Sequence, residues 1–234
     1  MSKRELRRPF FVCNPKSYLY GEQALKLAKT ADELAERYDV DILFTGQLID
    51  LAMLRKQTKH LIICAQTMES LKPGKGMGHI LGDGLKEAGV QATFLNHAEN
   101  PMTVAELIKT VKRCNELDIL TVICADGEDD ARAIAMLQPD VMVCEQTSLI
   151  GTGKTADASY MEATNHLVKS ISPATKTLQA AGISTGADVY KAIMSGADGT
   201  GGTSGIVCAK DPAAALTEMI EALVKAREEI KEEK

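Results

Sequence analysis

A closed eight-stranded parallel (β/α)8 barrel is the α/β fold this sequence predicts, and two observations predict it. Short apolar runs alternate with longer amphipathic segments along the whole chain, the pattern of strands feeding covering helices in a parallel sheet. Eight such alternations, the last ending in a helix, fit 234 residues as one domain, 1–234, because closed α/β barrels are typically about this size.

The elements follow in order. A charged N-terminal arm, 1–8, precedes the first apolar run, Phe10–Cys13. The next strands are expected at Asp41–Phe44, Leu61–Ala65, Ala92–Leu95, Leu120–Cys124, Val141–Cys144 and Lys176–Gln179. An eighth, at Gly199–Gly202, rests on position rather than propensity, since glycine weakens a strand interior. Between them, Gly21–Tyr38 places Ala24, Leu27, Ala28, Ala31, Leu34 and Ala35 on one helical face, and Val104–Leu117 does the same with Leu107, Ile108 and Val111. A last helix, Pro212–Ala226, presents Ala215, Leu216, Met219, Ile220 and Leu223 before a fraying charged tail, 227–234. Neither a low-complexity linker nor a 20–50-residue repeat interrupts the alternation.

Composition narrows the function. Apolar residues at 45% supply a core and charged residues at 25% a solvated exterior. A net charge of −5 argues against a nonspecific nucleic-acid binder, so an anionic substrate would need local cations. The six cysteines form no CxxC pair and read as reduced core thiols. The apolar run after the basic arm is too short for a signal-peptide core or a membrane span, which implies a soluble, cytoplasmic protein with no membrane partner. His60, His79 and His166 lack metal-ligand spacing with one another or with cysteine, so no structural zinc is expected and metal-free chemistry is preferred.

The chemistry-bearing residues gather at strand ends, where an α/β barrel opens its active face. Glu145 follows the sixth strand and runs into a glycine-rich stretch, Leu149 to Lys154, whose amides can approach a phosphate closely. The segment 146–154 has the character of a lid that excludes water above a base. Asn14 and Lys16 follow the first strand, two apart, and on an extended segment both would point to the mouth. Taken alone, Lys16 reads as a solvated surface lysine. His97, in Asn96-His97-Ala98-Glu99, stands before a helix whose first turn includes Pro101; the positive end of the macrodipole there would keep the imidazole neutral and able to donate to a carbonyl, although a cap or a core histidine fits the same position. Gly182 after strand seven and Thr203-Ser204-Gly205 after strand eight suit a phosphate cup, where Gly182 to Gly186 by itself would be only a turn and a cap.

Taken together, Asn14-Pro15-Lys16, Leu95 to Asn100, Glu145 with Leu149 to Gly153, Ala181 to Gly186 and Thr203-Ser204-Gly205 resemble the triosephosphate isomerase family, in its short archaeal-type branch, over nearly the whole chain. Gln47 to Leu51, Lys72-Pro73-Gly74, Gly78-His79, Lys86 to Gly89 and Ala209 to Pro212 match as well. The resemblance implies a TIM barrel that interconverts dihydroxyacetone phosphate and D-glyceraldehyde 3-phosphate, a glycolytic and gluconeogenic step, without a cofactor. It implies Glu145 as the base, His97 as the neutral electrophile, Lys16 as the cation and Asn14 as a substrate-orienting residue. By the same analogy Glu99 buttresses Lys16, and Ile150, Gly151, Gly153, Gly182, Thr203 and Ser204 surround the phosphate. It further implies a homodimer or homotetramer assembled through loop three, 70–79.

Several positions depart from the family pattern: Ala98 for serine, Gln146 for proline, Met77 for threonine, Ala180 for glycine, and Thr200-Gly201-Gly202-Thr203 for a more aliphatic eighth strand. They leave open an isomerase of another small sugar phosphate, such as a four-carbon one, or a noncatalytic phosphate-ligand barrel; the phosphate cup of loops seven and eight also fits a barrel of the phosphoribosyl-anthranilate or thiazole-synthase kind, against which the ordered Asn14/Lys16, His97/Glu99 and Glu145 set argues.

Overall fold

The computed structural model describes residues 3–149, 152, 156–180 and 182–232, and of 147 the backbone alone. Its strands are β1 (Phe10–Cys13), β2 (Ile42–Gly46), β3 (Ile62–Ala65), β4 (Ala92–Leu95), β5 (Leu120–Ala125), β6 (Val141–Cys144), β7 (Lys176–Gln179) and β8 (Gly199–Gly202). All pair in parallel, each with its neighbour in sequence, and β8 returns to β1 with Phe10 opposite Gly199 and Cys13 opposite Gly202. The predicted closed barrel is therefore what forms. β2 begins one residue later than expected and runs on to Gly46; β5 gains Ala125.

The covering helices are α1 (Gly21–Tyr38), α2 (Leu51–Gln57), α3 (Gly82–Glu87), α4 (Val104–Glu116), α5 (Gly127–Ala135), α6 (Ala158–Ile171), α7 (Gly186–Met194), the short α8 (Ser204–Val207) and α9 (Pro212–Glu232). The expected end of the last helix at Ala226 is corrected. α9 continues to Glu232 because Ile230 still packs on the core and Tyr190 hydrogen-bonds to Glu229, so part of the segment expected to fray is helical.

Strand alternation divides the apolar residues into two cores. Residues facing the barrel axis include Phe10, Val12, Leu43, Ile62, Phe94, Val122, Val143 and Leu178, while their neighbours in sequence pack outward against the helices. The weak eighth strand finds its reason here. A Cβ on Gly199 would lie 2.6 Å from the Phe10 ring, and one on Gly201 would lie 2.4 Å from the Val12 carbonyl oxygen. Gly199 thus makes room for the Phe10 ring and Gly201 for the Val12 backbone, and packing rather than propensity makes this segment a strand.

The N-terminal arm closes the opposite end of the barrel. Leu6 is buried with the axial core, and charged residues on both sides of it meet three aspartates that each stand directly before a strand. Lys3 Nζ pairs with Asp140 at 2.6 Å, Arg4 and Arg7 with Asp41 at 2.9 and 2.8 Å, and Arg8 with Asp198 at 2.8 Å. Asp140 and Asp198 also accept the backbone N–H groups of Thr121 and Thr177, both at 2.8 Å. None of the described helices is long and apolar enough to cross a membrane.

Candidate functional site

A cavity of about 290 Å³ opens at the C-terminal ends of the strands. Its floor is Val12, Phe94, Val143 and Leu178, the uppermost axial side chains. Asn14 and Lys16 after β1, His97 and Glu99 after β4, Glu145 after β6, Gly182 after β7 and Thr203 and Ser204 after β8 line its rim. Residues as far apart in sequence as Asn14 and Ser204 thus share one opening, because parallel strands deliver their C-terminal ends to the same face. Ile150, Gly151 and Gly153 lie outside the described residues. The chain beyond Glu145 starts with a 3-10 turn at Thr147–Leu149, where Leu149 N–H donates to the Gln146 carbonyl at 2.8 Å.

Lys16 reaches the mouth by a route different from the expected one. The segment after β1 is a turn, not an extension of the strand, and Lys16 has φ +45°, in the left-handed region. Such a backbone persists in a lysine only where its surroundings hold it. The Lys16 N–H donates to Asn14 Oδ1 at 3.0 Å; its carbonyl accepts from Gln66 Nε2 at 2.8 Å and Gln47 Nε2 at 3.1 Å. Its ammonium pairs with Glu99 Oε1 at 2.8 Å. This hydrogen bond, against a smaller opposing effect of burial, holds the Glu99 carboxyl below its ordinary range.

The expected setting of His97 is also corrected. α4 starts at Val104, capped by the Thr103 hydroxyl, which accepts from Glu106 N–H; Pro101 stands outside the helix and His97 is not at its N-terminus. Asn96, at φ +56°, instead turns the chain, its amide donating to the Cys124 carbonyl at 3.1 Å and accepting from Met102 N–H at 3.0 Å. His97 Nδ1 accepts the Glu99 N–H at 3.1 Å. A backbone N–H only donates, so Nδ1 carries no proton and a neutral ring carries its proton on Nε2. Burial first, then the Lys16 charge, push the imidazole below its ordinary value. The neutral donor expected from a helix dipole is thus produced by desolvation and a neighbouring cation.

Glu145 leaves β6 with its N–H bonded to the Ala125 carbonyl at 3.1 Å and stands half-buried. Beneath it, burial and then the Glu145 charge raise the Cys124 thiol well above its usual range, so the sulfur is a neutral filler under a carboxylate. Loops seven and eight meet backbone to backbone. A Cβ on Gly205 would lie 2.5 Å from Ser184 Cα, so glycine alone lets the start of α8 close against Ser184.

Sequence reading did not single out Gln66, Phe94 or Tyr18, which line the mouth, and it met Gln47 only inside a matching stretch. The available signal was a glutamine just past each of β2 and β3, at the face that carries function. Of the six cysteines, Cys208 is exposed, which corrects its expected place in the core; the other five are buried. No group of three or more His, Cys, Asp or Glu among the described residues is disposed to hold a metal ion.

A family model described as triosephosphate isomerase matches residues 9–223. The triosephosphate isomerase of Methanothermus fervidus is 36% identical over 218 residues, covering 91% of this chain and 98% of that protein. That of Methanopyrus kandleri is 36% identical over 224 residues, 93% and 99% of the two chains, and that of Methanocaldococcus jannaschii is 34% identical over 214 residues, 89% and 97%.

Proposed function

The chain belongs to the triosephosphate isomerase family and is an aldose–ketose isomerase interconverting dihydroxyacetone phosphate and D-glyceraldehyde 3-phosphate; we propose that Glu145, His97 and Lys16 carry the reaction. The observation behind this assignment is that the three side chains, from three different strand ends, line one cavity beside Gly182, Thr203 and Ser204.

A proton beside a carbonyl is weakly acidic, and its removal needs a placed base together with donors aimed at the nascent oxyanion. Glu145 takes the proton from one carbon and returns it to the next. His97 donates from Nε2 to the substrate oxygens as charge builds on them. Lys16 supplies positive charge to the enediolate and the phosphate ester, and Asn14, anchored through Oδ1, orients the substrate. Glu99 steadies the ammonium. The phosphate lies against the backbone of Gly182, Thr203 and Ser204.

Glu145→Asp tests this assignment. Retracting the carboxylate by about one methylene, near 1 Å, is expected to lower turnover about a hundredfold. Turnover of the triose phosphates at the wild-type rate would remove Glu145 from the mechanism.

The free thiols are in keeping with a reducing cytoplasmic setting. Met77 stands fully exposed on the loop after β3, next to a groove lined by Leu71, His79, Ile80 and Met102. A projecting apolar knob beside a groove suits a self-complementary interface, so a homodimer is the minimum assembly. Sedimentation of wild type as a dimer or tetramer and of Met77→Asp as a smaller species is expected; a monomeric wild type would reject this assembly.

A further inference from the structure

Lys16 is held at every polar group it has, and part of the holding comes from the end of β2, an element with no residue in the chemistry proposed above. Thr45, fully buried, donates its hydroxyl to Asn14 Oδ1, the oxygen that also accepts the Lys16 N–H. Two donors converging on one amide oxygen fix which way the Asn14 amide faces. Gln47, two residues on, sends Nε2 to the Lys16 carbonyl at 3.1 Å, to Ser17 Oγ at 3.2 Å and to Gln66 Oε1 at 3.4 Å. The last contact turns the Gln66 amide so that its own Nε2 meets the same carbonyl at 2.8 Å. Pro15 has a ring-fixed φ, so the freedom of the turn rests in Lys16, at φ +45°.

We propose that Thr45 and Gln47 are positioning residues that hold Lys16 in its left-handed turn, and so set where its ammonium meets the substrate's phosphate and developing oxyanion. The inference rests on the catalytic role assigned to Lys16. A left-handed lysine relaxes to the ordinary basin once its N–H and C=O partners weaken, and that rotation swings the root of the side chain. The ammonium then leaves both the mouth and Glu99. No atom of Thr45 or Gln47 need touch the substrate for this to happen.

Thr45→Val and Gln47→Met preserve side-chain volume and remove the donors. Each is expected to lower kcat/KM about tenfold and the pair about a hundredfold, the scale of a displacement near 1 Å, with little change in melting temperature. Gln47→Met is expected to add no loss in a Lys16→Met background, since residues that act through one another are not additive, whereas Thr45→Val keeps there only the smaller part of its loss that runs through Asn14. The Glu99 carboxyl, followed by NMR, gives a second readout: with the ammonium displaced, its titration moves up toward the ordinary glutamate value. Wild-type kcat/KM together with an unmoved Glu99 titration in both variants overturns the inference. So does an equal loss with and without Lys16, which would mark a general role in folding. A fully active Lys16→Met would instead reject the role given to Lys16, a distinguishable failure that takes the inference with it.

Discussion

Phe10 and Gly199 face each other across the seam where β1 closes on β8, and a methyl on Gly199 would lie 2.6 Å from the Phe10 ring. Gly199→Ala is expected to destabilise the protein by about 1–3 kcal/mol, the usual cost of overfilling a packed core. Because the clash is with a side chain, Phe10→Leu in the same molecule should recover part of the loss. Gly201→Ala meets the Val12 backbone and should have no such rescue. Denaturant melts of these variants and of Phe10→Leu alone decide this, and additive losses in the Gly199/Phe10 pair would refute it.

His97 is expected to titrate below the ordinary histidine value of 6.5, since burial and Lys16 both disfavour the imidazolium. The sign for stability follows. The unfolded chain takes up the proton near 6.5 while the native ring does not, so stability falls as pH drops from there toward the native value and then levels off. A ¹⁵N NMR titration should show Nδ1 unprotonated and Nε2 protonated throughout the neutral range. A proton on Nδ1 at neutral pH would contradict the Glu99 N–H contact.

Glu99→Gln exchanges a charge-assisted hydrogen bond to Lys16 for a neutral one and should lower kcat/KM about tenfold, in line with the roughly halved strength of such a bond. The depressed native titration of Glu99 means that its contribution is present above the ordinary value of 4.5 and is lost as pH falls through the lower native one. Unchanged kinetics would show that Lys16 needs no such partner.

Burial pushes the Asp41 carboxyl up, yet the Arg7 hydrogen bonds, with Arg4 beside them, hold it below its ordinary value. In Arg4→Ala/Arg7→Ala the carboxylate remains buried without either guanidinium, at a cost of about 3–5 kcal/mol near neutral pH. The difference from wild type should narrow as pH drops, since protonating Asp41 in the variant relieves the buried charge. Melts at pH 7 and pH 4 measure this, and an equal loss at both would show that the arginines act by packing alone.

The barrel and its strand ends were legible because they rest on periodicity, and six of the eight strands carry apolar runs that no helix period fits. β8 was legible only by counting, since its reason lies 189 residues away in Phe10. That Lys16, His97 and Glu145 lie at one mouth could be read from the chain, but how two of them are held could not. The left-handed turn at Lys16 depends on Asn14, Gln47 and Gln66, contacts from three different loops, and no local rule predicts it. The neutrality of His97 was anticipated with the wrong cause, because Asn96 and Thr103 postpone the helix by several residues.

Arg8 pairs with Asp198, and Leu6 lies among residues contributed by strands as late as β7. Residues 3–8 therefore have no complete seat until synthesis has passed Asp198. During synthesis they must wait as a solvated basic thread while the strands assemble, and their docking reports that the ring has shut. A fluorophore near Arg4 would mark that final event, later than any signal from the helices.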